Sequence, residues 1–287
     1  MKFLVPGIAA LAAALVVVSC GGFAFTAANV PAFFGKFERR ANLAYGALDR
    51  QRLDVYVPDG AAARPIIVFW YGGAWEHGEK SNYRFVGARL AAAGYVAVLP
   101  DYRLHPQVRF PAFIDDGAAA LAWVAAHARE LGGDPARIYV AGHSAGAHLA
   151  AMLAYDPARL ARVGLAPDTI RGFIGLSGPY ALTPNDATLN TIFAAPFAPP
   201  DWQPVQLARA GAPPALLIHG EADTVVDVEH ARRMAQQLEL LGVPVTLHTY
   251  PERGHRDPVA AFAAAAPDKL PVLDDIRRFT GESGARN

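Results

Sequence analysis

The 287-residue chain is 53% apolar and 18% charged, and its 26 basic and 26 acidic side chains leave no net charge. That balance excludes a disordered chain and any large basic face, so a nucleic-acid partner is not expected. With one cysteine no intramolecular disulfide is possible, and the fold must stand on its apolar core.

The N-terminus comes first and differs from the rest. No side chain is charged between Phe3 and Gly35, and Phe3 to Val18 is almost wholly apolar behind Lys2. This is the pattern of an export signal, so the expected location is the cell envelope or the exterior. Val17-Val18-Ser19-Cys20-Gly21 resembles a bacterial lipobox, which makes Cys20 the lipidation candidate and implies membrane attachment. Two other outcomes fit the same residues. Phe3 to Phe25 just supplies the roughly 20 apolar residues of a spanning anchor, and Thr26-Ala27-Ala28 offers small residues for simple cleavage. Residues 1–20 are accordingly read as a signal segment and residues 21–40 as a linker or cap-contributing segment.

Beyond residue 40, short apolar runs alternate with helix-like stretches. Arg52 to Val57 alternates with period two and stops at Pro58, as a half-buried strand does. Ile66–Trp70, Tyr95–Leu99, Ile138–Ala141, Phe173–Leu176 and Ala215–Ile218 are continuous apolar runs of the kind that lie buried in parallel sheets. Val245–Tyr250 is the last strand expected. Between them, Phe113–Leu131, Ala145–Leu153, Met234–Leu241 and Leu273–Phe279 carry helical spacing. The alternation predicts an α/β fold with a mostly parallel sheet covered by helices on both faces. Tyr180 to Pro214 is rich in Pro, Ala, Asn and Asp without a period, and reads as a small irregular cap.

Four pieces carry chemistry. Gly142-His143-Ser144-Ala145-Gly146 sits between a buried strand and an Ala-rich helix, the context in which a sharp turn pushes a serine hydroxyl out above a sheet edge. Ser144 is therefore the candidate nucleophile, and the Ala145 amide faces the space where an oxyanion forms. Tyr71-Gly72-Gly73-Ala74-Trp75 follows another buried strand, and Gly73 and Ala74 are the candidates for the remaining oxyanion donors. Asp223, in the loop after Ala215–Ile218, is the candidate acid, with Glu221 the weaker choice nearer the strand end. Of nine histidines, His255 follows the last strand and is the candidate base. His143 is expected to point away from the hydroxyl, His148 to pack on the helix and His248 to be structural. His77, His105, His127 and His230 have no partner motif. No histidine pair has HExxH spacing, so neither a metal nor any other cofactor is expected.

The order Ser144, Asp223, His255 is that of α/β-hydrolases. Together these pieces resemble the carboxylesterase branch of that superfamily that is hormone-sensitive-lipase-like and feruloyl-esterase-like. Asp101-Tyr102-Arg103-Leu104, Phe110-Pro111-Ala112, Asp115-Asp116 and Gly132-Gly133-Asp134-Pro135 extend the resemblance over about residues 45–279. Tyr71 stands where many members have the His of an HGGG loop, and Ala74 replaces the third glycine. The resemblance implies that residues 41–287 are an α/β-hydrolase catalytic domain acting on a small-molecule ester, short-acyl or aromatic, through an acyl-enzyme. An amidase, arylformamidase or small peptidase shares this machinery, and a catalytically silent binding module anchored at the envelope is the reading from another class. Phe193, Phe197 and Trp202, with Phe33, Phe34 and the segment Phe23–Phe37, are expected to roof the acyl pocket or to pack.

Overall fold

A computed structural model describes residues 25, 28, 29, 35–60, 63–263 and 270–282. Cys20, Phe33 and Phe34 lie outside these residues. Among the described residues no helix is long and apolar enough to cross a membrane.

The expected buried runs all form strands of one eight-stranded sheet, ordered β1-β2-β4-β3-β5-β6-β7-β8. They are β1 (Phe37–Ala44), β2 (Arg52–Pro58), β3 (Arg64–Trp70), β4 (Val96–Pro100), β5 (Gly133–His143), β6 (Ile170–Leu176), β7 (Ala215–Gly220) and β8 (Val245–Tyr250). β1 and β2 run antiparallel to their neighbours, and β4 through β8 pair in parallel. The parallel strands β4 to β7 are buried along nearly their whole length because helices lie on the sheet. Those helices are α1 (Arg84–Ala92), α2 (Ala112–His127), α3 (Ala145–Tyr155), α4 (Pro157–Arg162), α5 (Ala187–Ile192), α6 (Pro199–Trp202), α7 (Pro204–Leu207), α8 (Glu229–Leu240), α9 (Asp257–Ala260) and α10 (Val272–Thr280). All eleven residues of α3 are buried, since α3 packs on β3, β5 and β6 and against α2 and α7.

β1 has no counterpart among the strands expected from sequence, and it opens inside the stretch read as a linker. Its residues are mostly exposed, and Asn42, at φ 57°, sits where a bulge shifts the register between Arg40 and Leu43. An edge strand with one wet face and a bulge shows no clean alternation. β1 is fastened by charge instead. Asp54 of β2 has no exposed surface and accepts from Arg39 Nη2 at 2.6 Å, the Asn42 amide at 2.9 Å and Lys80 Nζ at 3.1 Å. A buried carboxylate is tolerable only with partners of this number and sign.

The segment Tyr180–Pro214 is less irregular than its composition suggests, because α5, α6 and α7 are short helices opened by Asp186 or by prolines at their first turns. The described part of the segment Phe23–Phe37 packs against its neighbours. Phe25 lies against Tyr83 with ring centroids 5.3 Å apart, Asn29 bonds the Ser81 and Asn82 carbonyls, and Phe37 rests on Tyr56 at the β1 edge.

Candidate active site

The strand order places the site. Chain direction across the sheet reverses between β3 and β5, which are hydrogen-bonded neighbours, so the loops leaving their C-terminal ends flank one crevice. Trp70 pairs with Gly142 at the top of that pair, and both loops start there. Ser144 makes the turn from β5 into α3 at φ 55° and ψ −123°, a region that costs a non-glycine residue about 1–3 kcal/mol. The neighbouring glycines are a matter of clearance. A Cβ on Gly146 would meet the Trp70 carbonyl oxygen at 2.1 Å, and one on Gly142 would meet the Gly146 backbone at 2.3 Å. The strained turn and the close packing together hold the hydroxyl above the sheet, over the N-terminus of α3, whose free amides favour negative charge.

His255 Nε2 lies 2.9 Å from Ser144 Oγ, and His255 Nδ1 lies 2.8 Å from Asp223 Oδ2. A carboxylate only accepts, so Nδ1 carries the proton and Nε2 is left as the acceptor for the serine hydroxyl. Asp223 follows β7 in a tight loop in which its Oδ1 accepts from the Val225 and Val226 amides at 2.8 and 2.9 Å. Burial alone would raise the Asp223 pKa, but donation from His219, from His255 and from those two amides outweighs it and holds the carboxyl well below its ordinary range. The acid stays ionised wherever the protein is folded near neutrality. Glu221 points elsewhere: it accepts from Thr249 Oγ1 at 2.7 Å and stands 3.7 Å from Arg232.

The loop after β3 carries three successive residues at positive φ: Gly73 at 137°, Ala74 at 53° and Trp75 at 61°. Gly73 has no alternative, because a Cβ there would meet the His77 carbonyl oxygen at 2.1 Å. Its own carbonyl accepts from the Glu76 and His77 amides, closing a turn. A Cβ on Gly72 would lie 2.9 Å from Ser144 Cβ, which measures how closely this loop approaches the serine. Among the described residues, the amides of Gly73, Ala74 and Ala145 have no backbone acceptor. Three unpaired amides beside a serine are able to receive an oxyanion, each contributing about 3–4 kcal/mol where it acts.

The motif between the two loops supports this arrangement. Tyr102 Oη donates to the Tyr71 carbonyl at 2.9 Å and stacks on the Tyr71 ring at 4.7 Å. Arg50 donates to the Tyr71 hydroxyl at 2.6 Å, the Gly78 carbonyl at 2.8 Å and the Tyr102 carbonyl at 2.7 Å. Arg103 grips buried Asp116 through Nε and Nη2 at 2.8 and 2.9 Å. Tyr71 is therefore a buried post for the loop.

The remaining histidines are largely structural ties. His143 turns away from the hydroxyl, as expected, and its Nε2 stands 2.9 Å from the His255 carbonyl oxygen. Burial, then the neighbouring His255, push its pKa down to about 3, so the ring is neutral and donates that bond. His148 Nε2 lies 2.7 Å from the Trp202 carbonyl, and burial pushes its pKa down to about 4. That bond ties the cap to α3. His248 stands 3.7 Å from Asp275, and His230 Nδ1 accepts the Ala181 amide at 3.1 Å. Phe193 and Trp202 are buried among Trp75, Phe110 and Phe113, and Phe193 meets Trp75 edge-on at 5.0 Å. Phe193 thus packs against Trp75 of the loop after β3. His219 was assigned nothing from sequence, yet its Nε2 reaches Asp223 Oδ2 at 3.1 Å. A strand histidine four residues before a loop acid gives no pattern that distinguishes this contact from ordinary burial. No group of three or more His, Cys, Asp or Glu among the described residues is placed to hold a metal ion.

The family described as BD-FAE matches residues 53–162, and the prolyl oligopeptidase family matches residues 114–270. The chain is 35% identical over 224 residues to Esterase LipC of Mycobacterium tuberculosis, covering 71% of this chain and 56% of that one. It is 30% identical over 248 residues to the isoprenylcysteine alpha-carbonyl methylesterase ICME of Arabidopsis thaliana, covering 78% and 58%. The chain thus spans little more than half the length of these curated relatives. Among solved structures, the apo form of Thermogutta terrifontis esterase 2 superposes with a TM-score of 0.72 at 27% identity, covering 88% of this chain and 97% of that one. A truncated carbohydrate esterase from gut microbiota reaches 0.74 at 24% identity, covering 86% and 96%, which is a likeness of fold.

Proposed function

The chain belongs to the α/β-hydrolases, in the prolyl oligopeptidase family that matches more than half its length, and from that premise we propose a serine carboxylesterase acting on small esters. The observation that carries the proposal is the unbroken line from Ser144 Oγ through the His255 ring to Asp223 Oδ2, with contacts of 2.9 and 2.8 Å.

In this reading the Ser144 oxygen attacks the ester carbonyl while His255 Nε2 takes its proton. Asp223 keeps Nδ1 protonated and stabilises the imidazolium. The amides of Gly73, Ala74 and Ala145 receive the oxyanion. As the tetrahedral intermediate collapses, the bond to the alcohol breaks and His255 returns its proton to the leaving oxygen. Water, deprotonated by His255, then attacks the acyl-enzyme; Ser144 leaves with the proton, and the acid is released.

The relatives named as esterases support ester over amide. Short acyl groups are supported by descriptions of Thermogutta terrifontis esterase 2 with butyrate and with propionate bound. The aromatic wall of Trp75 and Phe193 beside the oxyanion loop suits a compact acyl group. The peptidase character in the matched family's own description favours a second reading, hydrolysis of small amides at the same serine.

The test is turnover of p-nitrophenyl esters from acetate to palmitate, with matched anilides, by the wild type and Ser144→Ala. Ester turnover highest at short chains, and about 10⁴–10⁶-fold lower in the variant, is the expected result. Anilide cleavage exceeding ester cleavage moves the assignment to an amidase, and a folded Ser144→Ala protein with wild-type turnover refutes the nucleophile.

A further inference from the structure

Asp223 carries one imidazole more than the line to Ser144 uses. His219, at the C-terminal end of β7 and without exposed surface, places Nε2 3.1 Å from Asp223 Oδ2 and 2.8 Å from the Val226 carbonyl oxygen. Both neighbours only accept, so Nε2 carries the proton and shares it between them. Nδ1 is buried with no hydrogen-bond partner among the described residues. A proton there would be a buried, unsatisfied N–H.

The oxygen that His219 meets is the one that receives His255. Oδ1 of the same carboxylate is taken up by the Val225 and Val226 amides, so two amides hold one oxygen and two imidazoles the other. We propose that His219 is a positioning residue for hydrolysis: its Nε2–H fixes the rotation of the Asp223 carboxylate and draws part of the charge on Oδ2 away from His255. The proposal rests on the serine-hydrolase reading above.

Its consequence is for the base. Without the second donor, Oδ2 faces His255 alone, with more of its negative charge concentrated there. The imidazolium is then held more tightly, while the carboxylate is freer to rotate and attack geometry is lost. Several other ionisable groups surround this pair. They are Asp227 in the same loop, His230 and Arg233 on α8, His143 at the end of β5, and Arg253, Arg256 and Asp257 after β8. All are common to wild type and variants, so a difference between substitutions at residue 219 reads the lost donor.

His219→Gln places an amide N–H close to where Nε2 stands. His219→Leu removes the donor, and the amide of His219→Asn stops short of Asp223. The experiment measures kcat and KM on p-nitrophenyl butyrate from about pH 5 to 9, and titrates the His255 imidazole by NMR in each substrate-free protein. In the Leu and Asn variants, kcat is expected to fall about tenfold or more with KM within about twofold, and the NMR titration curve to move away from that of the wild type. The Gln variant is expected to restore most of both. If Leu and Asn match the wild type in kcat and titration, or if Gln falls as far as they do, the proposal is overturned. The titration needs no turnover. A wild type that cleaves no ester would refute the esterase reading, and the titration curves would still decide the role of His219.

Discussion

At the scale of single residues, the site is made of conformations and clearances that few side chains tolerate. Ser144 sits at φ 55° and ψ −123°, where a Cβ is strained and glycine is not. Ser144→Ala removes the hydroxyl and keeps the strain, whereas Ser144→Gly removes both. Chemical denaturation is therefore expected to show Ser144→Gly more stable than Ser144→Ala by about 1 kcal/mol, with neither turning over ester. Equal stability of the two would mean the turn is relaxed for L-residues. Ser144 and Asp223 stand out as candidates in the sequence because each follows a buried apolar run, and His255 because it follows the last expected strand. His219 is not, since an inward-facing strand histidine looks the same whether it meets a carboxylate or only hydrocarbon. His143 is half readable: its direction follows from the elbow, but its acceptor, the backbone of a residue 112 positions away, does not.

At the scale of elements, α3 is the piece on which the rest is hung. It is buried on every side, and one of its few polar atoms, His148 Nε2, bonds to the end of α6. The pKa values of His148 and His143 are pushed down to about 4 and about 3, against an ordinary 6.5. The unfolded chain therefore binds protons below pH ~6.5 that the folded chain refuses, and stability falls as pH drops through that window. Each ring adds a slope approaching 1.4 kcal/mol per pH unit. Denaturation midpoints measured from about pH 7 to 4.5, above the range where carboxylates protonate, are expected to fall steeply in the wild type and less so in His148→Gln, which keeps a donor toward Trp202. Parallel curves would show that His148 protonates freely in the fold. The elements themselves were mostly visible in the sequence, because buried parallel strands are unbroken apolar runs. β1 was not, for it is held by Arg39, Lys80 and the Asn42 amide converging on Asp54, contacts that span up to 26 positions and leave no periodicity.

At the scale of the whole molecule, the sheet has a working end and a plain end. The loops after β3, β5, β7 and β8 supply every atom of the proposed chemistry, and the turns at the opposite ends only return the chain. Gly164, following α4, is one such return: at φ 75° it closes a turn, and a Cβ there would meet nothing within 4 Å. A Gly-Ser insertion of about four residues after Gly164 is expected to leave ester turnover within about twofold. The same insertion after Thr224 separates Asp223 from the amides that hold it, and about a hundredfold loss is expected. Comparable losses from the two insertions would mean the two ends of the sheet are not independent.

The bond from His143 to the carbonyl of His255 carries a consequence for how such a site tolerates wear. The base is delivered by an outermost strand, β8, yet its main chain is pinned by the residue that precedes the nucleophile on a central strand. Loosening of the outer strand thus need not change the spacing between serine and imidazole. The reach between them is gauged from the middle of the molecule, as a caliper is set at its hinge, and the rim is free to drift without spoiling the measurement.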